Sequence, residues 1–463
     1  MEKTMNQLSE KENKMGTMPV NKLLISMAVP MMISMLVQAL YNIIDSMFVA
    51  KVSEEALAAV SLAFPMQNLM IAVGTGTGVG INALLSKSLG EKNKERANET
   101  ARQGIFIVLI WTLVFIMIGL FLIPTFMSAQ IKDLTKEEAD MILPLGIAYL
   151  KICTIGSLGF FMQVTFERLL QSTGRTVLSM ITQGLGAIIN IILDPILIFG
   201  LLGAPKMGVK GAALATVLGQ TIAGITAIIM NIKKNPDIHI SFKNFRVHLE
   251  VIGKILYIGI PSIIMASIGS IMTFCMNKIL AGYSKTAVSV FGVYFKLQSF
   301  VFMPVFGLNN GMVPIVSYNF GARNRRRLVK TIQLSVLYAC GIMLIGLIIM
   351  QTMPQQLLAI FDASDKMIEI GVPALRTISL SFVFAGFCII SSSVFQALGN
   401  GIFSMGVSIA RQLLVLVPVA YLFSKIGELA HVWWAFPIAE IASVSVCVTF
   451  LMIMNKKVIS TLE

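Results

Sequence analysis

Residues 23–50 read LLISMAVPMMISMLVQALYNIIDSMFVA, and this stretch decides the class of fold. It holds a single charged residue, Asp45, in 28 positions. An α-helix needs about 20 apolar residues to cross the hydrocarbon core of a bilayer. The stretch is therefore predicted to be a transmembrane helix.

Eleven further apolar runs follow it, separated by short polar connectors. The twelve runs are 23–50, 55–85, 103–126, 141–170, 176–202, 209–232, 251–281, 286–317, 328–353, 368–397, 402–424 and 432–454. Only 13% of the chain is charged, whereas a soluble domain carries roughly a quarter of charged residues. We predict an all-α integral membrane protein with twelve transmembrane helices, some of them tilted or kinked because their runs exceed the spanning length.

The second half of the sequence repeats the first at a constant offset of 231 positions. The aligned pairs are Pro30/Pro261, Phe64/Phe295, Gln67/Gln298, Gly76/Gly307, Gly80/Gly311, Ser86/Ser317, Gly90/Gly321, Asn93/Asn324 and Arg96/Arg327. Farther along, residues 171–174 (QSTG) match residues 396–399 (QALG) at an offset of 225. Because each half holds six helices, both halves enter the membrane from the same side and form parallel repeats.

These repeats divide the chain into an N-lobe, residues 23–232 with helices 1–6, and a C-lobe, residues 251–454 with helices 7–12. Transporters built in this way tend to bind substrate between or within the halves and to rock one half against the other. Residues 1–22 and 455–463 are predicted to be cytoplasmic tails, and residues 233–250 a cytoplasmic linker between the lobes.

Lys and Arg side chains are unevenly distributed between the two sets of loops. With a cytoplasmic N-terminus, 23 of the 36 lie in inside segments or the adjoining helix ends, and 9 in outside loops or the adjoining helix ends. The positive-inside rule then places both termini in the cytoplasm. The net charge of +13 is thus a topology signal and does not indicate nucleic-acid binding. The N-terminal stretch lacks the apolar core of a secretory signal, so helix 1 is expected to remain in the mature protein.

Three acidic residues lie deep within predicted helices: Asp45, Asp194 and Glu440. Such residues are costly in lipid and by default mark ion or substrate pathways. On helix 1, Asp45 shares a helix face with Gln38 and Asn42, because residues three and four apart are neighbours.

Helix 5 repeats this pattern with Gln183, Asn190 and Asp194. Asn190 and Asp194 place an amide and a carboxylate one turn apart, which suits a shared proton or a hard cation such as Na⁺. Asp45, Asn190 and Asp194 are therefore the candidate cation site. A hydrogen-bond network that only packs the helices is the alternative.

Pro30 and Pro195 lie on the same two helices as these acids, and each removes one helical hydrogen bond. Both are candidate bending points, with a static kink as the alternative for each. The glycine run GTGTGVG at residues 74–80 lacks the order of a phosphate loop, so close helix packing or local unwinding is expected. The five cysteines form no C-x-x-C pair, and the sequence suggests no cofactor, nucleotide site, catalytic group or resident metal.

The C-lobe carries different deep charges, namely Lys296, Arg376 and Arg411 together with Glu440, and it has Met276 at the position aligned with Asp45. We expect Glu440 to pair with one of the three cations, either as a buried structural ion pair or within a second, substrate-facing site. The candidate substrate-cavity residues are Gln38, Asn42, Gln67, Gln183, Lys296, Gln298, Arg411 and Glu440.

Several motifs resemble those of the multidrug and toxin extrusion (MATE) transporters. They are residues 41–49 (YNIIDSMFV), 89–93 (LGEKN), 166–174 (FERLLQSTG), 190–196 (NIILDPI) and 208–216 (GVKGAALAT). The resemblance implies two six-helix lobes around a V-shaped cavity and a cation site in the N-lobe formed by Asp45, Asn190, Asp194 and Thr216. One branch of the family keeps acids within helices 7 and 10. Here Glu250, Asp362 and Glu369 lie at helix ends, so the chain resembles the DNA-damage-inducible and staphylococcal-type exporters more closely.

The function expected from this resemblance is export of organic, often cationic compounds by antiport against H⁺ or Na⁺. The protein is then expected in the plasma (inner) membrane of a bacterium or archaeon. Its expected partners are small organic substrates and membrane lipids, and it is expected to be a monomer. A flippase for a lipid-linked sugar or peptidoglycan precursor is the alternative, because Lys296, Arg376 and Arg411 would suit a pyrophosphate. The sequence leaves the choice between H⁺ and Na⁺ open.

The charge distribution makes a testable prediction about topology. Single cysteines near Lys92, Lys243 and Arg326 should resist a membrane-impermeant thiol reagent in intact cells, whereas cysteines near Lys136 and Asp365 should react. Labelling of position 243 from outside would overturn the orientation.

Overall fold

The computed structural model describes residues 13–132, 135–361 and 363–462, and these residues contain helices but no strands. The helices are α1 (Val20–Ala50), α2 (Glu54–Gly90), α3 (Lys94–Gln130), α4a (Lys136–Ile155), α4b (Ser157–Ser172), α5 (Thr176–Phe199), α6 (Val209–Lys234), α7 (Leu249–Ala281), α8 (Lys285–Gly321), α9 (Arg325–Thr352), α10a (Asp365–Ser379), α10b (Phe382–Ala397), α11 (Gly401–Ile426) and α12 (Ala435–Lys457). Residues 1–12 of the predicted N-terminal tail and Asp362 lie outside the described residues.

Ten helices of the described chain are long and apolar enough to cross a membrane, and two bent pairs bring the number to twelve when each pair is counted as one span. The prediction of twelve membrane helices is confirmed in this sense. Helices 4 and 10, however, are broken where the sequence pattern is continuous. α4a meets α4b at an angle of 46°, and α10a meets α10b at 49°.

The two bends occupy equivalent positions in the two repeats. Gly156 separates α4a from α4b, and Ser381, which lies 225 positions later, directly precedes α10b. At the second bend, the Ser381 hydroxyl donates to the carbonyl of Ile378 over 2.6 Å, so a side chain satisfies a backbone group there. The bend is thus a property of the repeat, although apolar periodicity does not reveal it.

Helices α1 and α7 join the two lobes. α1 packs along α8 of the C-lobe, and α7 packs along α2 of the N-lobe. A side chain at Gly80 would collide with the carbonyl oxygen of Ile255, and one at Gly311 would lie 2.7 Å from the backbone of Ala28. The glycine run therefore serves close helix packing, as expected, and it remains helical throughout within α2. We call these contacts of α1 with α8 and of α2 with α7 the lobe seam.

Because the number of crossings is even, α1 begins and α12 ends at the same end of the bundle, which we call the terminal end. At this terminal end, the segment before α1 connects the lobes. Arg327 on α9 donates to the carbonyl oxygens of Met15 over 3.0 Å and Met18 over 2.7 Å. Asn13 donates to the carbonyl of Thr173 in the N-lobe over 3.0 Å, and Met15 is fully buried. Residues 13–18 therefore form a strap across the terminal end.

The segment before α7 makes a corresponding contact with the opposite lobe, although through a different donor. Gln103 on α3 donates to the carbonyl oxygen of Arg246 over 2.6 Å, and Arg246 lies 231 positions after Met15. Asn98 accepts from the backbone N–H of His239 over 2.6 Å. The internal repeat thus extends beyond the helices into two straps, each tying a joining helix to the lobe on which it packs.

The strap before α1 makes a testable prediction. Hydrogen bonds from a charged donor are worth about 1.5–3 kcal/mol, so Arg327→Ala should increase opening of the strap at least roughly tenfold. The measurement is the rate of thiol labelling of Met15→Cys in a variant whose native cysteines are replaced by alanine. The neighbouring, exposed Arg326→Ala is the matched control and should leave the rate unchanged. Equal labelling rates in both variants would show that the strap does not hold this end closed.

Candidate functional site

The four residues predicted to form the cation site meet in the N-lobe. Asn190 on α5 lies between Thr216 on α6 and Asp194. With its amide nitrogen facing Asp194, it donates to Asp194 Oδ2 over 3.2 Å and accepts from Thr216 Oγ1 over 3.2 Å. Asp45 on α1 lies within hydrogen-bonding range of Asp194. The sequence thus placed four groups from three helices in one cluster, although their role remains a prediction.

Each acid of this cluster has one oxygen that lacks a hydrogen-bond partner. Oδ1 of Asp45 and Oδ1 of Asp194 are both buried, and neither has a partner within the described parts of the chain. Leaving a buried charged oxygen unpaired is costly, and two adjacent carboxylates also repel each other. The arrangement therefore suits a group that bridges or neutralises the acids, which is either a proton or a small hard cation held by oxygen ligands.

The predicted bending points lie inside continuous helices. Pro30 is buried within α1, and Pro195 follows Asp194 within α5. Neither helix ends at its proline, so the backbone carbonyls four residues earlier lose one bond each without a break. Bending at these positions stays a prediction.

The polar residues expected near the acids separate into different networks. Gln183 on α5 accepts a hydrogen bond from Ser34 and donates to Gln38 over 2.8 Å, which ties α5 to α1. Gln67 donates to the hydroxyl of Tyr149 over 3.0 Å. Gln38 and Gln183 line a cavity in the N-lobe, whereas Gln67 and Asn42 lie outside its lining. Asn42 is exposed, unlike its helix neighbour Gln38.

Sequence reasoning missed a fourth buried acid, Glu167 on α4b. Its side chain is 6% exposed, and its Oε1 accepts from Gln163 over 3.1 Å and from Thr182 over 3.2 Å. Glu167 lies near the end of an apolar run and beside Arg168, which made it look like an interfacial charge. The signal that could have revealed it is the amide at each i±4 position, Gln163 and Gln171, which repeats the pattern of α1.

The N-lobe cavity has a volume of about 100 Å³ and runs between the acid cluster and Glu167. Asn190 and Thr216 line it at one end, and Glu167 and Arg168 line it at the other. Arg168 donates across the lobe seam to Asn310 Oδ1 on α8 over 3.0 Å. The cavity thus extends from Asn190 and Thr216, the neighbours of the acid pair, to Glu167 and to a contact between the lobes.

In the C-lobe, Glu440 pairs with one of the three predicted cations. Arg411 Nη1 donates to Glu440 Oε1 over 2.9 Å, and this confirms the expectation of an ion pair. Arg376 is exposed, so it is not the deep charge that the sequence suggested. Arg411, Glu440 and Gln298 line a cavity of about 380 Å³.

Lys296 was expected in this cavity, but the structure places it elsewhere. It is exposed, with its ammonium 5.7 Å from the ring centre of Phe361. Lys296 and Gln298 are two residues apart, so their side chains point to opposite sides of α8, because each residue turns the helix by about 100°. The lysine therefore cannot share the cavity that Gln298 lines.

Comparison with known proteins identifies the family. The MatE family model matches residues 30–196 and 261–422. The Multidrug export protein MepA of Staphylococcus saprophyticus is 27% identical over 416 residues, which is 89% of each chain. MepA of Staphylococcus aureus is 27% identical over 425 residues, or 91% of each chain.

Solved structures agree over almost the whole chain. A MATE protein crystallised in complex with MaL6 superposes with a TM-score of 0.90 at 25% identity, covering 98% of this chain and 100% of that one. A multidrug resistance MATE transporter in an outward-facing conformation gives a TM-score of 0.89 at 26% identity, covering 97% and 99%. The chain therefore belongs to the MatE family, and it is a transporter rather than an enzyme.

Proposed function

We propose that this protein exports organic compounds, often cationic ones, across the plasma membrane in exchange for H⁺ or Na⁺. The observation that carries the proposal is the contact between Asp45 and Asp194, each with a buried, unpartnered oxygen in the described structure. The similarity to multidrug export proteins supports the substrate class. The source would be a bacterium or an archaeon.

The acid cluster binds the coupling ion. A proton or Na⁺ between the two carboxyl groups removes their repulsion and satisfies the free oxygens. Asn190, whose own oxygen is bonded to Thr216, holds Asp194 in position by donating to its Oδ2. Loss of the ion restores the repulsion between α1 and α5. Because α1 packs along α8 across the lobe seam, a movement of α1 changes how the lobes meet. An ion shifts the two states only by its differential affinity for them.

Glu167 is a further buried acid, which lies between the Asp45–Asp194 cluster and the terminal end. Thr182, which bonds to Glu167, and Asp194 are 12 residues apart on α5, which corresponds to roughly 18 Å along a helix. A proton that leaves the cluster therefore meets another buried carboxyl group before it reaches the loops. Arg168, beside Glu167, holds the lobes together at this level through Asn310.

The flippase alternative rested on three cations in the C-lobe. Lys296 and Arg376 are exposed outside the C-lobe cavity, and Arg411 is paired with Glu440. The cavity therefore lacks the positive excess that would favour a pyrophosphate, and we do not propose this function. A monomer with both termini in the cytoplasm remains our proposal for assembly and orientation.

The coupling role of the acids has a direct test in proteoliposomes. Asp45→Asn and Asp194→Asn should each reduce gradient-driven ethidium transport at least roughly tenfold, since an amide cannot exchange a proton and binds Na⁺ poorly. Proton and sodium gradients are imposed separately, which also identifies the ion. Asp140→Asn, a change at an exposed acid on α4a, is the matched control and should transport normally.

Correct insertion of each variant is established by its elution as a folded species in detergent. If both inserted variants transport at the normal rate under the same gradient, the acid cluster is not the coupling site.

A further inference from the structure

The N-lobe and C-lobe cavities differ in size, and this difference limits the kind of ligand that each can hold. The N-lobe cavity measures about 100 Å³ and the C-lobe cavity about 380 Å³. Drug-sized ligands occupy pockets of about 300–1,000 Å³, whereas a water molecule takes up about 30 Å³. The N-lobe cavity therefore has room for an ion and a few waters, whereas the C-lobe cavity has room for an organic molecule.

The C-lobe cavity contains a buried acceptor that no residue satisfies. Glu440 is 7% exposed, and its Oε1 is bonded to Arg411, but its Oε2 has no partner in the described chain. Asn309 Oδ1, on the cavity wall formed by α8, is equally without a partner in that part of the chain. Both residues line the same cavity. Two unpaired acceptors in its walls favour a ligand that brings N–H donors, because an unpaired buried acceptor is costly.

The walls between these acceptors are aromatic and flexible. Five rings line the cavity: Tyr294, Phe295, Phe302, Phe306 and Phe436. Three methionines line it as well, and their side chains adapt to different ligand shapes. Aromatic faces also attract cations and stack on flat rings. The walls thus suit a planar aromatic body.

The charge of the site limits the ligand further. Arg411 balances Glu440, so the charged lining of the cavity has no net charge. A single positive charge on the ligand still gains from the free oxygen of Glu440, whereas a multiply charged ligand would be left without compensation in a medium of low dielectric constant. The preferred ligand is consequently neutral or singly positive.

The backbone of α11 departs from regular α-helix beside this cavity. Residues Ala410–Leu416, which include Arg411, form a π-helical segment, and such segments occur frequently at functional sites. The equivalent stretch of the N-lobe, 225 positions earlier, is regular α-helix within α5. The C-lobe thus departs from the repeat where Arg411 enters the cavity.

We propose that the exported compound binds in the C-lobe cavity as a planar aromatic molecule that carries at least one N–H group and at most one positive charge, with Glu440 Oε2 and Asn309 Oδ1 accepting its hydrogen bonds. This inference rests on the proposed export function and adds a binding site and a ligand chemistry to it.

One consequence is that substrate and coupling ion do not share ligands. The connection between them runs through α8, where Asn309 faces the C-lobe cavity and its neighbour Asn310 accepts from Arg168 at the N-lobe cavity. Adjacent residues of one helix therefore contact the two cavities. A substrate that draws on Asn309 can alter the position of Asn310 without touching Asp45 or Asp194.

Equilibrium binding to the full-length protein in detergent tests the proposal, with ethidium as an aromatic cation that has two amino groups. Glu440→Gln replaces the free oxygen by an N–H donor and should raise the Kd of ethidium at least tenfold. The Kd of tetraphenylphosphonium, an aromatic cation without N–H groups, should rise less than threefold in the same variant. Glu369→Gln, the same change at an exposed acid, is the matched control and should leave both values unchanged.

Two further variants keep the test decisive. Phe302→Ala leaves the ion pair intact and should weaken the binding of both ethidium and tetraphenylphosphonium. This variant tests the cavity even if Glu440→Gln does not fold. The Asp45→Asn, Asp194→Asn double variant should still bind one ethidium per protein. Unchanged ethidium binding in the folded C-lobe variants, or loss of binding in the double variant alone, would overturn the proposal. Because detergent binding needs no gradient, failure of coupled transport would leave this result standing.

Discussion

The contact between Asp45 and Asp194 is the interaction on which the rest of this structure depends. Two carboxyl groups from α1 and α5 meet inside an apolar lobe, and each keeps an oxygen that no described residue satisfies. Such a pair is stable when an ion or proton lies between the groups and is strained when it does not. In the coupling that we propose, the two loading states of the cluster therefore favour two arrangements of α1 against α5.

In the same proposal, the lobe seam transmits that local change to the ends of the bundle. Glycines on α2 and α8 bring the backbones of the joining helices into contact, so α1 is packed against the C-lobe and α7 against the N-lobe. Packed interfaces of this kind switch between arrangements rather than deform continuously. The strap before α1 also bonds to the N-lobe, because Asn13 donates to the carbonyl of Thr173, and this bond would break if the lobes separated at the terminal end.

Much of the fold could be predicted because membrane spans appear in the sequence as long apolar runs and the repeat appears as a constant offset. The twelve runs, the two lobes and the clustering of Asp45 with Asp194 follow from length, offset and helical spacing. The bends in helices 4 and 10 did not follow, since an apolar run reads the same whether straight or broken. Glu167 was missed because the bend at Gly156 directs α4b into the lobe. The prediction that Lys296 lies in the substrate cavity was wrong because the depth of a residue in a helix does not say which face it occupies. The two-residue spacing between Lys296 and Gln298 does give that information, since it places them on opposite faces.

The central claim is that occupancy of the acid pair sets whether the terminal end is closed, and a distance between spin labels measures this most directly. Labels at Lys233→Cys on α6 and Lys457→Cys on α12, both exposed positions, report the separation of the lobes there by double electron–electron resonance. In a cysteine-free background, the distance distribution should shift between two populations as pH or Na⁺ concentration is varied, and the shift should vanish in the Asp45→Asn, Asp194→Asn variant. A double variant that shifts as the unsubstituted protein does would contradict the account.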